Sequence, residues 1–322
     1  ALGVNVALTS LNLHNNGIGA EGAKAIGDAL HVNGALTSLN LEWNRIGDEG
    51  GKAIAEALRV NGALTSLNLL GCQIGAEGAR AIGDALRVNG ALTDLNLRNC
   101  GIGAEGGKAI GDALRVNGAL TLLNLDGHAL PIKQLKGTEP IDKLDLSNKL
   151  DLSKNRIGGV ASAIVIAKCI EDNGALTDLD LGDNAIGVQG AATIAAALKV
   201  NGALTDLNLF NNEIGVEGAK EIGEALKVNS VLTSLNLGWN DLGAEGAMAI
   251  GDALRVNGTL TDLCLYNNKI GTVGATAIAD ALKVNGALTS LDLRLNKIDR
   301  VAKRALKVAI AKRPHTTRLQ LS

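Results

Sequence analysis

Residues 11–27, LNLHNNGIGAEGAKAIG, place Gly17-Ile18-Gly19-Ala20-Glu21-Gly22 between a strand-like alternation and a helix-like run. Glycines at that spacing let a dinucleotide fold bring backbone amides against a pyrophosphate at a helix start. The spacing returns at 101–106, GIGAEG, but elsewhere the first glycine becomes Arg45, Gln73, Glu213, Asp241 or Lys269. The other two glycines persist, Gly19 suited to a tight turn and Gly22 to close helix packing. A dinucleotide site also needs a crevice where strand order reverses. A chain built from repeated units has no such point, so these glycines are architectural and no cofactor is expected.

Other candidate chemistry reads as structure. Glu21, Glu49, Glu77, Glu105, Glu217 and Glu245 fall in first helical turns, where a carboxylate offsets the helix dipole. Asp28/His31, Glu56/Arg59, Asp84/Arg87 and Asp112/Arg115 are i,i+3 pairs on a solvated helix face. His14, His31, His128 and His315 lie far apart, with no cysteine or carboxylate at ligand spacing, so no metal is expected. Cys72 and Cys100 take the same slot of adjacent repeats and read as buried thiols, with a disulfide left open. Asn257-Gly258-Thr259 is a lone glycosylation sequon at a helix end. No catalytic set emerges, and the chain reads as non-enzymatic.

The elements behind these residues repeat. ALTSLNL or a close variant begins its leucines at 8, 36, 64, 92 and 120, then at 176, 204, 232, 260 and 288, a spacing of 28 within each series. The step from 120 to 176 is two such periods and hides one further repeat. A fixed period of this length means a solenoid. Within one unit, Leu39 and Leu41 alternate with Ser38 and Asn40, as in a strand with one buried face. The Asn44 amide is placed to bond the turn and its counterparts in adjacent repeats. Gly47-Asp48-Glu49-Gly50 opens a helix with Ile54 and Leu58 on one face. The helix closes at VNG, where Asn61 or Gly62 suits a left-handed cap.

Bulk properties agree. The 322 residues carry a net charge of −2 with both signs dispersed, which argues against nucleic acid or an anionic membrane as partner. Four cysteines make no disulfide framework and point to a reducing, cytoplasmic setting. No apolar run approaches the roughly 20 residues of a bilayer span. The chain holds two Trp, one Tyr and one Phe, so Leu, Ile, Val and Ala must build its core.

L-x-x-L-x-L-x-x-N-x-I-G followed by a helix, in a 28-residue period, resembles the leucine-rich repeats of the ribonuclease-inhibitor type. That group includes ribonuclease inhibitor, Ran GTPase-activating protein, tropomodulin and the arrays of NOD-like receptors. The resemblance implies an α/β leucine-rich-repeat solenoid, a right-handed horseshoe with a parallel sheet on the concave face and helices on the convex face. It also makes cysteine in the slot of Asn44 a familiar replacement.

A single domain over 1–322 is expected. Residues 1–7 read as the end of a preceding repeat, 8–119 as four regular repeats, 120–175 as two irregular ones, 176–315 as five, and 316–322 as a terminal strand. ALGVNVA matches only a repeat's end, which implies a piece of a longer array. In 126–159 the helix expected after Leu125 is missing, Pro131 and Pro140 appear, and KLDLSN is nearly duplicated as KLDLSK. Either 143–146 or 149–152 fills the strand slot. His128, Lys133, Lys136 and Lys143 make this segment mildly basic, a degenerate repeat or a docking loop. At the end, Thr316 falls one period after Leu288, Leu319 and Leu321 sit at strand positions, and Arg300, Lys303, Arg304, Lys307 and Lys312 suit a polar cap.

Variation concentrates in the two residues after the strand leucines: His14-Asn15, Glu42-Trp43, Leu70-Gly71, Arg98-Asn99, Phe210-Asn211, Gly238-Trp239, Tyr266-Asn267 and Arg294-Leu295. All four aromatics fall in these slots. The first slot should face the concave surface and the second its rim. Phe210, Trp239 and Tyr266 come from consecutive repeats, and at about 4.8 Å between strands they should form one patch. Glu213, Asp241, Lys269, Arg294 and Lys297 would rim it, with Glu42, Trp43 and Arg98 as further candidates. Exposed aromatics among charges have the composition of an interaction hot spot. The expected function is non-catalytic recognition of a protein partner on the concave face by a monomeric module. The alternatives are an architectural subunit of a larger assembly or a consensus-like designed scaffold, and, third, a GTPase-activating role for which no residue matches.

Overall fold

The computed structural model describes residues 2–127, 129–139, 149–152, 159–313 and 317–321. One repeat explains the rest. In the strand Ser38–Asn40, Leu39 is buried with Leu36 and Leu41, while Ser38 and Asn40 face outward half-buried. The following helix, Gly47–Leu58, buries Ile54, Ala55, Ala57 and Leu58 against the same layer. Each such leucine stabilises the fold by about 1.5–3 kcal/mol when buried, and one strand with one helix has no partner layer for them. Stacking supplies it. A Cβ on Gly50 would lie 2.8 Å from the Ala23 Cβ of the helix before, so glycine sets the approach of neighbouring helices.

The period predicts one array, and the chain divides into two compact units, Ala1–Glu139 with Gly158–Cys169 and Pro140–Ile157 with Ile170–Ser322. The first contains strands β1 (Ser10–Asn12), β2 (Ser38–Asn40), β3 (Ser66–Asn68), β4 (Asp94–Asn96), β5 (Leu122–Asn124) and β6 (Ala129–Pro131). Its helices are α1 (Ala20–Val32), α2 (Gly47–Leu58), α3 (Gly75–Leu86), α4 (Gly103–Leu114), α5 (Ile132–Leu135) and, as far as Cys169, α6 (Val160–Ile170). The second contains β7 (Lys149–Asp151), β8 (Asp178–Asp180), β9 (Asp206–Asn208), β10 (Ser234–Asn236), β11 (Asp262–Cys264), β12 (Ser290–Asp292) and β13 (Arg318–Gln320). Its helices are α7 (Gly187–Leu198), α8 (Gly215–Leu226), α9 (Gly243–Leu254), α10 (Gly271–Leu282) and α11 (Arg300–Ala311).

Each sheet runs in sequence order, β1 to β6 and β7 to β13. Strands β1 to β5 and β8 to β13 pair in parallel at a register of one period, Leu39 opposite Leu67 and Leu235 opposite Leu263, while β7 pairs in parallel with β8 at 29 residues. Each unit is thus a leucine-rich-repeat solenoid with a sheet on one side and helices on the other. Among the described residues no helix is long and apolar enough to cross a membrane.

Two rows of asparagine tie repeats together. The Asn240 amide donates to the carbonyls of Leu209 and Leu237 at 2.8 and 3.0 Å, and its oxygen accepts from the Asn212 backbone at 2.8 Å. Cys72 and Cys100 hold this slot with buried thiols that donate to Leu41 and Leu69 carbonyls, and neither forms a disulfide. The second row corrects the expected helix cap. Asn61 and Gly62 lie outside the left-handed region. Instead the buried Asn61 donates to the carbonyls of Leu30 and Asn33 and accepts from the Ala63 and Leu64 amides. Asn257 belongs to this row and is buried, its amide donating to Leu226 and Asn229, so the sequon nitrogen is already engaged. Gly19 also departs from expectation: it is extended at φ −92°, whereas its counterparts Gly47, Gly75 and Gly103 take the left-handed turn at φ +67°, +65° and +58°.

Where the first sheet ends, the chain reverses. β6 pairs antiparallel with β5, Leu123 opposite Leu130, and buries Leu130 with Ile132 and Leu135. Lys136 donates to the Asn117 carbonyl at 2.7 Å, the acceptor that a row asparagine takes in the regular repeats. α6 then packs on α4, with the Ala161 Cα 2.7 Å from where a Gly107 Cβ would stand. The strand in the irregular repeat is 149–151, parallel to β8. Residues 143–146, His128, Pro140, Lys143, His315 and Thr316 lie outside the described residues.

At the two termini the periodic pattern continues. Asn5 accepts from Ala7 and Leu8, and its carbonyl accepts from Asn33, which are the bonds of a repeat's end. β13 pairs in parallel with β12, and α11 buries Ala302, Leu306 and Ala309 beneath its basic outer side.

Candidate functional site

The two variable slots are held by backbone chemistry. The strand's outward asparagine turns its oxygen onto the amide of the first slot, as Asn208 does for Phe210 and Asn40 for Glu42, at 3.0 and 2.9 Å. The second slot is left-handed in the regular repeats. Asn15, Gly71, Asn99, Asp183, Asn211 and Asn267 have φ of +50° to +69°, as do Trp43 at +55°, Trp239 at +57° and Leu295 at +58°. Asparagine, aspartate and glycine tolerate this conformation, but tryptophan and leucine pay about 1 kcal/mol or more. The amides still join the ladder, Trp239 donating to the Tyr266 carbonyl at 2.8 Å.

The predicted candidates separate between the units. Glu42, Trp43 and Arg98 stand on the first. Trp43 is half exposed, and its ring lies over Gly71 of the next repeat, where a Cβ would approach the ring carbons to 2.6 Å. Glu42 accepts from Asn68 at 3.2 Å and stands 3.7 Å from His14. Arg98 is exposed.

The second unit assembles the other seven. Phe210, Trp239 and Tyr266 form a row, each ring centroid 6.5 Å from the next, at interplanar angles of 55° and 33°. Trp239 is 48% exposed, so its area is turned outward rather than into the core. Gly238 makes the row possible, since a Cβ there would stand 3.0 Å from the Phe210 ring. Arg294 continues the row, its guanidinium carbon 5.4 Å from the Tyr266 centroid. Asp292 fixes it from the strand at 2.6 Å and holds its pKa above the ordinary guanidinium value. On the rim side, Glu213, Trp239, Asp241 and Lys269 line a cleft of about 420 Å³, with Asn211 and Asn267. Lys269 and Asp241 pair across it at 2.8 Å, both exposed. Lys297 is exposed at a left-handed position.

Two features escaped sequence reasoning. The left-handed slot was signalled by Asn, Asp or Gly in six of these repeats, a pattern that the tryptophans interrupt. The second was the charge of the outward strand positions in β8, β9 and β11, where Asp178, Asp180, Asp206 and Asp262 stand. Among the described residues no group of three or more His, Cys, Asp or Glu is placed to hold a metal ion.

The arrangement offers a row of rings flanked by charged side chains. A family profile described as Leucine Rich repeat matches residues 4–27, 35–55, 63–83, 91–111, 173–195, 203–223, 228–251 and 256–279. No curated protein matches the chain. Among solved structures it is similar to leiomodin-1 actin-binding site 2, at 21% identity over 56% of this chain and 88% of that one, with a TM-score of 0.36. It is also similar to the tropomodulin C-terminal domain of Caenorhabditis elegans, at 17% identity over 48% and 92%, with a TM-score of 0.39.

Proposed function

The chain belongs to the leucine-rich repeat family, and from that premise we propose that it is a non-catalytic module, of the ribonuclease-inhibitor type, that binds a protein on its concave, sheet-lined face. The observation that carries this reading is the row Phe210–Trp239–Tyr266, exposed at Trp239 and half-buried at Phe210 and Tyr266, in the positions that vary between repeats. Left-handed tryptophans there cost stability that asparagine would spare, and they fill no gap in the core. A preformed sheet docks a partner with little rearrangement, and rigid aromatic anchors concentrate binding energy. The recurrence of the 28-residue period on both sides of the irregular segment supports treating 1–322 as one repeat domain acting as a monomer, and the balanced charge supports a protein rather than nucleic acid as partner. Four cysteines, too few for a disulfide framework, suit a reducing, cytoplasmic setting.

An architectural role rests on a different observation. Val200, Val228, Val256 and Val284, at the helix ends of the second unit, are each more than 60% exposed and offer an apolar line on the opposite side. Photo-cross-linking separates the readings. A photoreactive residue replacing Asn211 should capture protein adducts from cell extract, and one replacing Val256 should not. Adducts confined to position 256 would overturn sheet-face recognition.

A further inference from the structure

The middle of the second unit's sheet, β8 to β12, is acidic in its outer row, with Lys149 of β7 and Arg318 of β13 at the row's ends. Its outer row across β8 to β12 reads Asp178, Asp206, Ser234, Asp262, Ser290. The matching row of the first unit, β1 to β5, reads Ser10, Ser38, Ser66, Asp94, Leu122. The next row of the second unit adds Asp180 and Asp292. A shallow hollow of about 310 Å³ opens among Asp180, Asp206 and Asp262. Among the described residues Asp206 and Asp262 form no ion pair.

The chain contains its own example of what such a face holds. The Arg294 guanidinium lies over the Tyr266 ring while Asp292 grips its edge through Nε and Nη2 at 3.0 and 2.6 Å. A ring below and a carboxylate beside a planar cation are the two contacts guanidinium favours. Trp239 and Phe210 offer rings, and Asp206 and Asp262 offer carboxylates, without the cation. Asp206 and Phe210 stand four residues apart, about 13 Å along a strand. One side chain does not bridge them, and a run of several cations does.

We propose that the sheet face of the second unit docks an arginine-bearing segment of a partner protein, its guanidinium groups stacking on Trp239 and Phe210 and pairing with Asp206 and Asp262. This rests on the recognition reading above and names the chemistry of the partner. Charge complementarity selects the occupant: an acidic segment meets like charge, and a purely apolar one leaves the carboxylates desolvated.

The test uses the full chain and fluorescein-labelled peptides in which glycine alternates with arginine, lysine or glutamate, read by anisotropy. Arginine peptide should bind, lysine peptide more weakly because ammonium does not stack, and glutamate peptide not at all; added salt should weaken the binding. Asp206→Asn with Asp262→Asn should weaken arginine peptide by about tenfold, at up to about fivefold for each exposed pair. Trp239→Asn, which keeps the left-handed backbone, should weaken it about threefold to fivefold. Unchanged circular dichroism shows that the variants are folded. Equal binding by wild type and the double aspartate variant overturns the proposal, as does binding of glutamate peptide. If arginine peptide fails to bind while position 211 still cross-links protein, this proposal falls and sheet-face recognition stands.

Discussion

The side-chain amide of Asn61 donates to the Leu30 carbonyl at 2.7 Å, reaching back across one whole repeat. It also donates to Asn33 and accepts from two amides of its own turn, so one buried side chain closes four backbone groups. Asn61→Ala should destabilise the chain by about 3 kcal/mol, since each buried polar group left unpaired costs about 1–3 kcal/mol and some relax. Urea unfolding followed by circular dichroism measures it. A loss under about 0.5 kcal/mol would mean that the row is incidental.

Leu295 is 55% exposed at φ +58°. It makes a clean probe of the left-handed slot because little packing is lost with it. Leu295→Asn should stabilise the chain by about 0.5–1 kcal/mol, visible as a raised melting temperature.

Gly71 combines φ +69° with the Trp43 ring overhead. Gly71→Ala should destabilise by about 1–2 kcal/mol and displace the ring. In a Trp239→Phe background the emission of Trp43 should shift to the red as the ring leaves its seat. An unshifted spectrum would contradict the packing.

Burial pushes the Cys72 thiol from 9.0 up to about 12, and burial raises Cys100 as well. The folded chain therefore keeps a proton that the unfolded chain gives up above about pH 9. The stabilising contribution is whole below that pH and is lost as pH rises towards 12, by up to about 1.4 kcal/mol per unit. Urea midpoints should fall between about pH 8 and about pH 10.5. Cys72→Asn, which restores the residue of Asn44, should flatten part of that fall.

Much of the fold was legible because one short pattern recurs. Leu39, Leu41, Ile54 and Leu58 declared their faces through period alone, and pairing at a register of 28 follows from stacking identical units. The adjacency of Phe210, Trp239 and Tyr266 followed from the same register. Other features turn on contacts that the pattern does not encode. β6 reverses because Ala129–Pro131 pair back on β5, which no other strand among the described residues does. Asn61 looked like a cap because the helix-end signal is local, whereas its bonds run to a residue one period away.

Within each unit, a helix end is finished by an amide that belongs to the following repeat. Stripping away the last repeat uncovers carbonyls on its predecessor, while an inner repeat leaves only by tearing both flanks. Under tension such a unit should therefore fray from its rim and unravel inward, each release preparing the next.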